Sequence, residues 1–203
     1  VGDGDDVIDG GDGSDTLDMS ATDADAVIDL AHGTAQSADS GRDTIGRVEN
    51  VVTGSGDDQV TGSDDANVID TGGGDDTVAA AGGNDVIDAG AGDDVIDAGS
   101  DDDTIVATVG DGDDVIDGGD GSDTLGMAAT DAGAVIDLAH GTAQSADSGS
   151  DSIVGIENAV GGSGDDTLIA DDHVNELFGG AGDDVFVFTS SLAAGRGDGA
   201  RDR

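Results

Sequence analysis

Written in blocks of nine, the chain brings one apolar side chain back to the same place and fills most other places with turn-forming residues. Thirteen such units start at residues 1, 10, 53, 62, 71, 80, 89, 98, 109, 118, 161, 170 and 179. Position eight is apolar in every one: Ile8, Leu17, Val60, Ile69, Val78, Ile87, Ile96, Ile105, Ile116, Leu125, Leu168, Leu177 and Phe186. Position six is Asp in eleven units and Asn in two, Asn67 and Asn175, while positions two and four are each Gly in ten. Six residues of Gly, Asp, Asn and Ser suit the φ > 0 conformations of tight turns, and the next three set a branched apolar side chain between two neighbours, as in a very short strand. Copies of such a unit stack as parallel strands with position eight inward, forming a thin apolar seam. No stretch carries helical periodicity.

A longer repeat lies over the short one. Residues 1–50 match 109–158 at 42 of 50 positions, an offset of 108 that is itself a multiple of nine. The stretch 19–52 lacks the pattern, but with the extra pair Ala107-Thr108 it again amounts to a multiple of nine. The expectation is one continuous roll over 1–187. Repeat blocks cover 1–18, 53–106, 109–126 and 161–187, degenerate coils cover 19–52 and 127–160, and a tail follows over 188–203.

Composition narrows the choice. The 203 residues carry 48 acidic and 5 basic side chains for a net charge of −43, with 38 Gly, 1% aromatics, no Cys and no Pro. That leaves too little to fill a broad globular core, so an ordinary enzyme domain is not expected. Five Arg and no Lys cannot neutralise phosphates, which disfavours nucleic acid and anionic membranes as partners, and no apolar run is long enough for a membrane span. Without Cys there are no disulfides or thiolate sites. Only Glu49, Glu157 and Glu176 are glutamates; the other 45 acids are Asp, whose short side chain suits turns and hard cations.

The apolar seam is small beside the entropy of ordering 117 repeat residues, and carboxylate repulsion makes the deficit larger. A cation is therefore expected to hold the fold, and calcium fits best. It accepts six to eight oxygens in flexible geometry, as Asp carboxylates and turn carbonyls offer, whereas magnesium demands tighter geometry. Zinc or copper would need grouped His or Cys, and His32, His140 and His173 are scattered along the chain.

Gly10-Gly11-Asp12-Gly13-Ser14-Asp15-Thr16-Leu17-Asp18 and Gly179-Gly180-Ala181-Gly182-Asp183-Asp184-Val185-Phe186-Val187 resemble the GGxGxDxUx nonapeptide of RTX (repeats-in-toxin) hemolysin-type calcium-binding proteins. The resemblance implies an all-β fold, a right-handed parallel β-roll or β-solenoid with two nonapeptides per coil and calcium between turns. It implies position-six carboxylates as ligands: Asp6, Asp15, Asp58, Asp76, Asp85, Asp94, Asp103, Asp114, Asp123, Asp166 and Asp184. It adds turn carbonyls from Gly54, Gly56, Gly72, Gly74, Gly90, Gly92, Gly110, Gly112, Gly180 and Gly182, and about ten calcium ions in all. Asp58 would pair with Asp76, Asp76 with Asp94 and Asp85 with Asp103. It further implies a secreted bacterial protein, exported unfolded by type I secretion machinery that reads an uncleaved C-terminal signal, and folding outside the cell.

Other motifs have plainer readings. Arg196-Gly197-Asp198 is a chance tripeptide in a Gly- and Asp-rich tail, His32 and His140 are one exposed position seen twice, and Phe178, Phe186 and Phe188 form the apolar plug of the last coil. No catalytic constellation is present, so the chain is read as a non-catalytic, monomeric calcium-binding module that supports secretion and stability of a larger protein. The alternatives are an adhesin or surface-layer spacer, and the repeat part of a secreted protease, lipase or alginate epimerase.

Overall fold

The computed structural model describes residues 4–188. Among them are twenty-one strands and no helix, the strands forming one sheet of thirteen and one of eight. The strands occupy the last three places of the nine-residue unit, as in Val68–Asp70, Val86–Asp88, Val95–Asp97 and Thr104–Val106. Successive units go to alternate sheets. Val86–Asp88 pairs in parallel with Val68–Asp70 and Thr104–Val106 in the smaller sheet, and Val95–Asp97 with Thr77–Ala81 and Val115–Asp117 in the larger. Partners are mostly 18 residues apart. Across Ala107-Thr108 the interval becomes 20 in both sheets, so the extra pair is absorbed without a change of face.

Register follows from burial, because a one-residue slip would turn every position-eight side chain to solvent. Val60, Ile69, Val78, Ile87, Ile96, Ile105, Ile116, Leu125 and Leu168 are buried in a single apolar cluster. A second row lies beside them, at position one in Thr53, Thr71, Ala80, Ala89 and Ala98 and just after position nine in Ala107 and Met127, all of them buried. Small side chains fit there because the turn begins at that point. The two Thr hydroxyls are kept satisfied by donating to the carbonyls of Thr71 and Ala89, one coil on. The ends are open. Ile8 is 36% exposed and Phe186 43%, and Phe178 and Phe188 stand more than half in solvent, so these Phe side chains form an exposed apolar end instead of the expected plug.

The inserts depart from a plain coil. In the first, Ala26–Asp29, Thr34–Ser37 and Gly41–Gly46 form an antiparallel meander inside the larger sheet, and Asn50–Val52 alone joins the smaller one. The second insert repeats this with Val135–Asp137, Thr142–Ser145, Gly149–Val154 and Asn158–Val160. The connection over 30–33 is far too short for a parallel crossover, which takes a dozen residues or more, so the chain must double back. Gly33, at φ +69°, supplies the left-handed turn. A residue count divisible by nine does not distinguish two coils from one meander plus one strand. The outer meander strands still pair in parallel with the flanking repeats, Ile45 beside Ile8 and Ile28 beside Val60, so the seam continues through each insert.

Replacing a mid-roll seam residue should be costly and replacing its outward neighbour should not. Ile87→Ala is expected to lower the unfolding free energy of the calcium-loaded protein by about 2–5 kcal/mol. Val86→Thr, at a side chain 41% exposed, should stay within about 0.5 kcal/mol of the parent. Urea denaturation in saturating calcium measures both.

Candidate metal centre

Position six is the last turn residue before each strand, and its short side chain folds back across the gap between coils. In the turns leading into the larger sheet, the Asp58 N–H donates to Asp76 Oδ1 at 2.7 Å, that of Asp76 to Asp94 at 2.7 Å, that of Asp94 to Asp114 at 2.9 Å and that of Asp114 to Asp151 at 3.2 Å. The turns leading into the smaller sheet carry the same chain through Asn67, Asp85, Asp103, Asp123 and Glu157, at 2.7–3.0 Å. Position five works in the opposite direction. Asp57, Asp75 and Asp93 accept the N–H groups of Asp75, Asp93 and Asp113, one coil ahead. Each Asp–Asp pair thus ties its coil to both neighbours.

One carboxylate oxygen is used in these bonds and the other is stranded. Oδ2 of Asp15, Asp58, Asp76, Asp85, Asp94, Asp103, Asp123 and Asp151 is buried with no hydrogen-bond partner, as are both oxygens of Asp111. Burial pushes the carboxyls of Asp76, Asp85, Asp94, Asp103, Asp111, Asp114, Asp123 and Asp151 up from 3.8, opposed in the ladder residues by the N–H from the preceding coil. Asp76, Asp114 and Asp123 reach about 6, and Asp85, Asp94, Asp111 and Asp151 about 7. Nearby carboxylates push the same way. A buried anion with an open lone pair is a site that asks for a cation.

Glycine carbonyls line the same turns. A methyl group on Gly74 would collide with the Gly56 carbonyl oxygen, and one on Gly92 with that of Gly74, so only Gly lets the coils approach this closely. Among the described residues, the carbonyls of Gly56, Gly74 and Gly92 accept no hydrogen bond from the protein. Gly72, Gly74, Gly90, Gly92, Gly110, Gly112, Gly180 and Gly182 all take positive φ. Gly54 and Gly56 do not, and they face Thr22 and Asp25 of the first insert instead of a repeat turn.

The structure brings together Asp58, Asp76, Asp94 and Asp114 in one set of turns and Asp85, Asp103 and Asp123 in the other, all of them buried. Asp166 is buried as well, but both its oxygens are occupied, by the N–H groups of Ala134 and Gly162. Asp15 and Asp184 are half-buried and Asp6 is exposed, since the ladders end there. Several ladder members escape a reading in whole units. Asp43 and Asp151 lie in the inserts and accept the N–H groups of Asp6 and Asp114; each sits in a Gly-x-Asp-x-Ile fragment, the middle of a nonapeptide, which is the signal that marks them. Glu49 and Glu157 take the corresponding place for Asp15 and Asp123, which accounts for two of the three glutamates.

Chemically, the turns offer one open carboxylate oxygen per coil with nearby carbonyls. Among the described residues no three His, Cys, Asp or Glu side chains cluster around a common point. A mixed shell of carboxylate and carbonyl oxygen suits a hard cation such as calcium and offers nothing soft.

Comparison with known families agrees with this chemistry. Residues 1–18, 47–78 and 70–105 match the RTX calcium-binding nonapeptide repeat (4 copies), and residues 114–198 match the Peptidase M10 serralysin C terminal family. No curated protein matches the chain.

The raised carboxyls have a consequence for the metal-stripped chain. A carboxyl that ionises at 3.8 when unfolded and near 6–7 when folded contributes stability that is complete below 3.8 and lost as pH rises to about 7. Metal-free protein is thus expected to show β structure at about pH 4 and to lose it by pH 7, as read by circular dichroism across the pH range. Calcium should remove most of that dependence.

Proposed function

From the premise that the chain is an RTX hemolysin-type calcium-binding repeat protein, a module of the kind found in secreted proteins, we propose that its function is to fold on calcium outside the cell. The observation that carries this reading is the recurring buried, partnerless carboxylate oxygen beside unbonded glycine carbonyls. Asp58, Asp76, Asp94, Asp114 and Asp151 would hold ions along one set of turns, and Asp85, Asp103 and Asp123 along the other. The carbonyls of Gly56, Gly74 and Gly92 would complete the shells. Calcium supplies only charge and coordination; the protein's residues place the oxygens.

Without an ion, stacked like charges and stranded lone pairs work against the coil. Extracellular calcium modules bind with constants of about 0.1–1 mM, so millimolar calcium adds only about 0.4–1.4 kcal/mol per site, and the switch depends on many sites acting together. An export route that carries unfolded chains suits this property: the cytosol holds too little calcium to fold the roll, and the exterior holds enough. Residues 1–187 would then act as one folding unit in a secreted bacterial protein.

The serralysin match over 114–198 favours a second, more specific reading, in which the roll is the non-catalytic repeat part of a secreted protease. An adhesin or surface-layer spacer has no such support.

Circular dichroism during calcium titration tests the proposal. The chain should gain β structure cooperatively with calcium and much less with magnesium, and equal folding in EGTA would overturn it. Asp76→Asn with Asp94→Asn should raise the calcium midpoint several-fold, because two ladder sites lose charge. The exposed pair Asp9→Asn and Asp18→Asn should leave it nearly unchanged.

A further inference from the structure

Residues 1–17 recur without a change at 109–125, and the two copies differ in what lies before them. In the second copy the unit 109–117 is laid on the unit 89–97 of the preceding coil. The Val115 N–H donates to the Asp94 carbonyl at 2.9 Å, the Asp113 N–H to Asp93 Oδ1 at 3.0 Å, and the Asp94 N–H to Asp114 Oδ1 at 2.9 Å. In the first copy the same residues meet no preceding coil among the described residues. Val7–Asp9 is an outermost strand of the larger sheet and pairs there with Gly41–Gly46 alone. Ile8 is 36% exposed where Ile116 is 1%, and Val7 is 84% exposed where Val115 is 52%.

That bare edge is already shaped for a neighbour. Gly4 holds a φ of +116° against +110° at Gly112, and Gly11 holds +102° against +89° at Gly119. A methyl group on Gly112 or Gly119 would strike the carbonyl oxygen of Gly92 or Gly99, so the approach of a coil accounts for glycine there; on Gly4 or Gly11 it would meet nothing within 4 Å. The opposite edge of the same sheet carries the matching half. Val185–Phe188 is the last strand, and the turn before it, Gly180-Ala181-Gly182-Asp183-Asp184-Val185, repeats Gly90-Ala91-Gly92-Asp93-Asp94-Val95 residue for residue. Gly180 and Gly182 keep the positive φ of Gly90 and Gly92, and the exposed Phe186 and Phe188 leave this end apolar.

We propose that the Val185–Phe188 edge of one copy takes the Val7–Asp9 edge of a second copy, head to tail, through the contacts that 89–97 makes with 109–117. The Val7 N–H would donate to the Asp184 carbonyl, the Asp5 N–H to Asp183 and the Asp184 N–H to Asp6, while Ile8 would cover Phe186. The docking engages the larger sheet, since the next place in the smaller one falls beyond residue 188, outside the described residues. Because the two edges are different surfaces, the contact does not close on itself, and each added copy presents a new edge. Asp5, Asp6, Asp183 and Asp184 bring like charges together, so the contact needs calcium as the internal coils do, and this dependence rests on the calcium reading proposed above. The monomer expected from the sequence is then the dilute form of the protein.

Sedimentation velocity of the full chain in saturating calcium tests the proposal. The parent should form a series of dimer, trimer and larger species as its concentration rises toward about 1 mM, the weak end of measurable association, and should lose them in EGTA. Val7→Pro removes an N–H at the first residue of an edge strand, a place where proline is tolerated. Phe186→Glu puts an unpaired charge into the apolar contact at the other edge. Each variant alone should associate at least about tenfold more weakly than the parent. Mixed in equal amounts, the two should give a one-to-one dimer and nothing larger, since each supplies the intact edge that the other lacks. Calcium-dependent circular dichroism confirms that each variant folds, and the parent's own sedimentation decides the matter if one does not. A calcium-folded parent that stays monomeric at about 1 mM overturns the proposal and leaves calcium-driven folding intact. Undiminished association of either variant alone also overturns it, because that marks head-to-head or tail-to-tail contact, and so does association unchanged in EGTA.

Discussion

Everything in this molecule hangs on a bond between coils: the N–H of one position-six residue donating to the carboxylate of the position-six residue one coil on. It fixes the spacing of the turns, brings Gly carbonyls against Gly α-carbons, and buries a charged group at the point where the apolar seam begins. It also leaves a second oxygen with no donor. A neutral Asn in that place satisfies both needs of the turn: Asn67 accepts from Ser63 and donates to the Glu49 carbonyl. Asp at the same place leaves a buried lone pair that a hard cation can meet.

The apolar seam and the acidic turns divide the work. Seam side chains choose the face each strand presents, since a one-residue slip would expose all of them, but they bury too little surface to hold the chain by themselves. The turns carry the opposing term, and its sign changes with conditions. Ionised and unmet, they drive the coils apart; protonated or neutralised by an ion, they draw the coils together.

The two inserts show how the roll tolerates interruption. Each replaces plain coils with a three-strand meander whose outer strands still present an apolar side chain at the seam and, through Asp43 or Asp151, a carboxylate at the ladder. The copies then diverge at the loops. Arg47 and Asp65 in one, Gly155 and His173 in the other, occupy matching places on the same edge.

The period of nine, with Ile or Val at position eight and Asp at position six, was enough by itself to determine the stacked parallel strands, the inward row and the kind of ion the turns favour, because each follows from one unit and its identical neighbours. Asp76 and Asp94 were legible in that way. Asp43, Asp151, Glu49 and Glu157 were not, since their place in the ladder depends on how a 34-residue insert folds back, and length alone does not say. The buried row at position one was also hidden, because Thr71 and Ala89 look like turn residues until the coil closes over them. Only the tertiary structure placed His140 and His173 along one surface pocket. Local physical chemistry repeats along a chain, but the meeting of two distant loops is set by the number of coils between them and the path the insert takes.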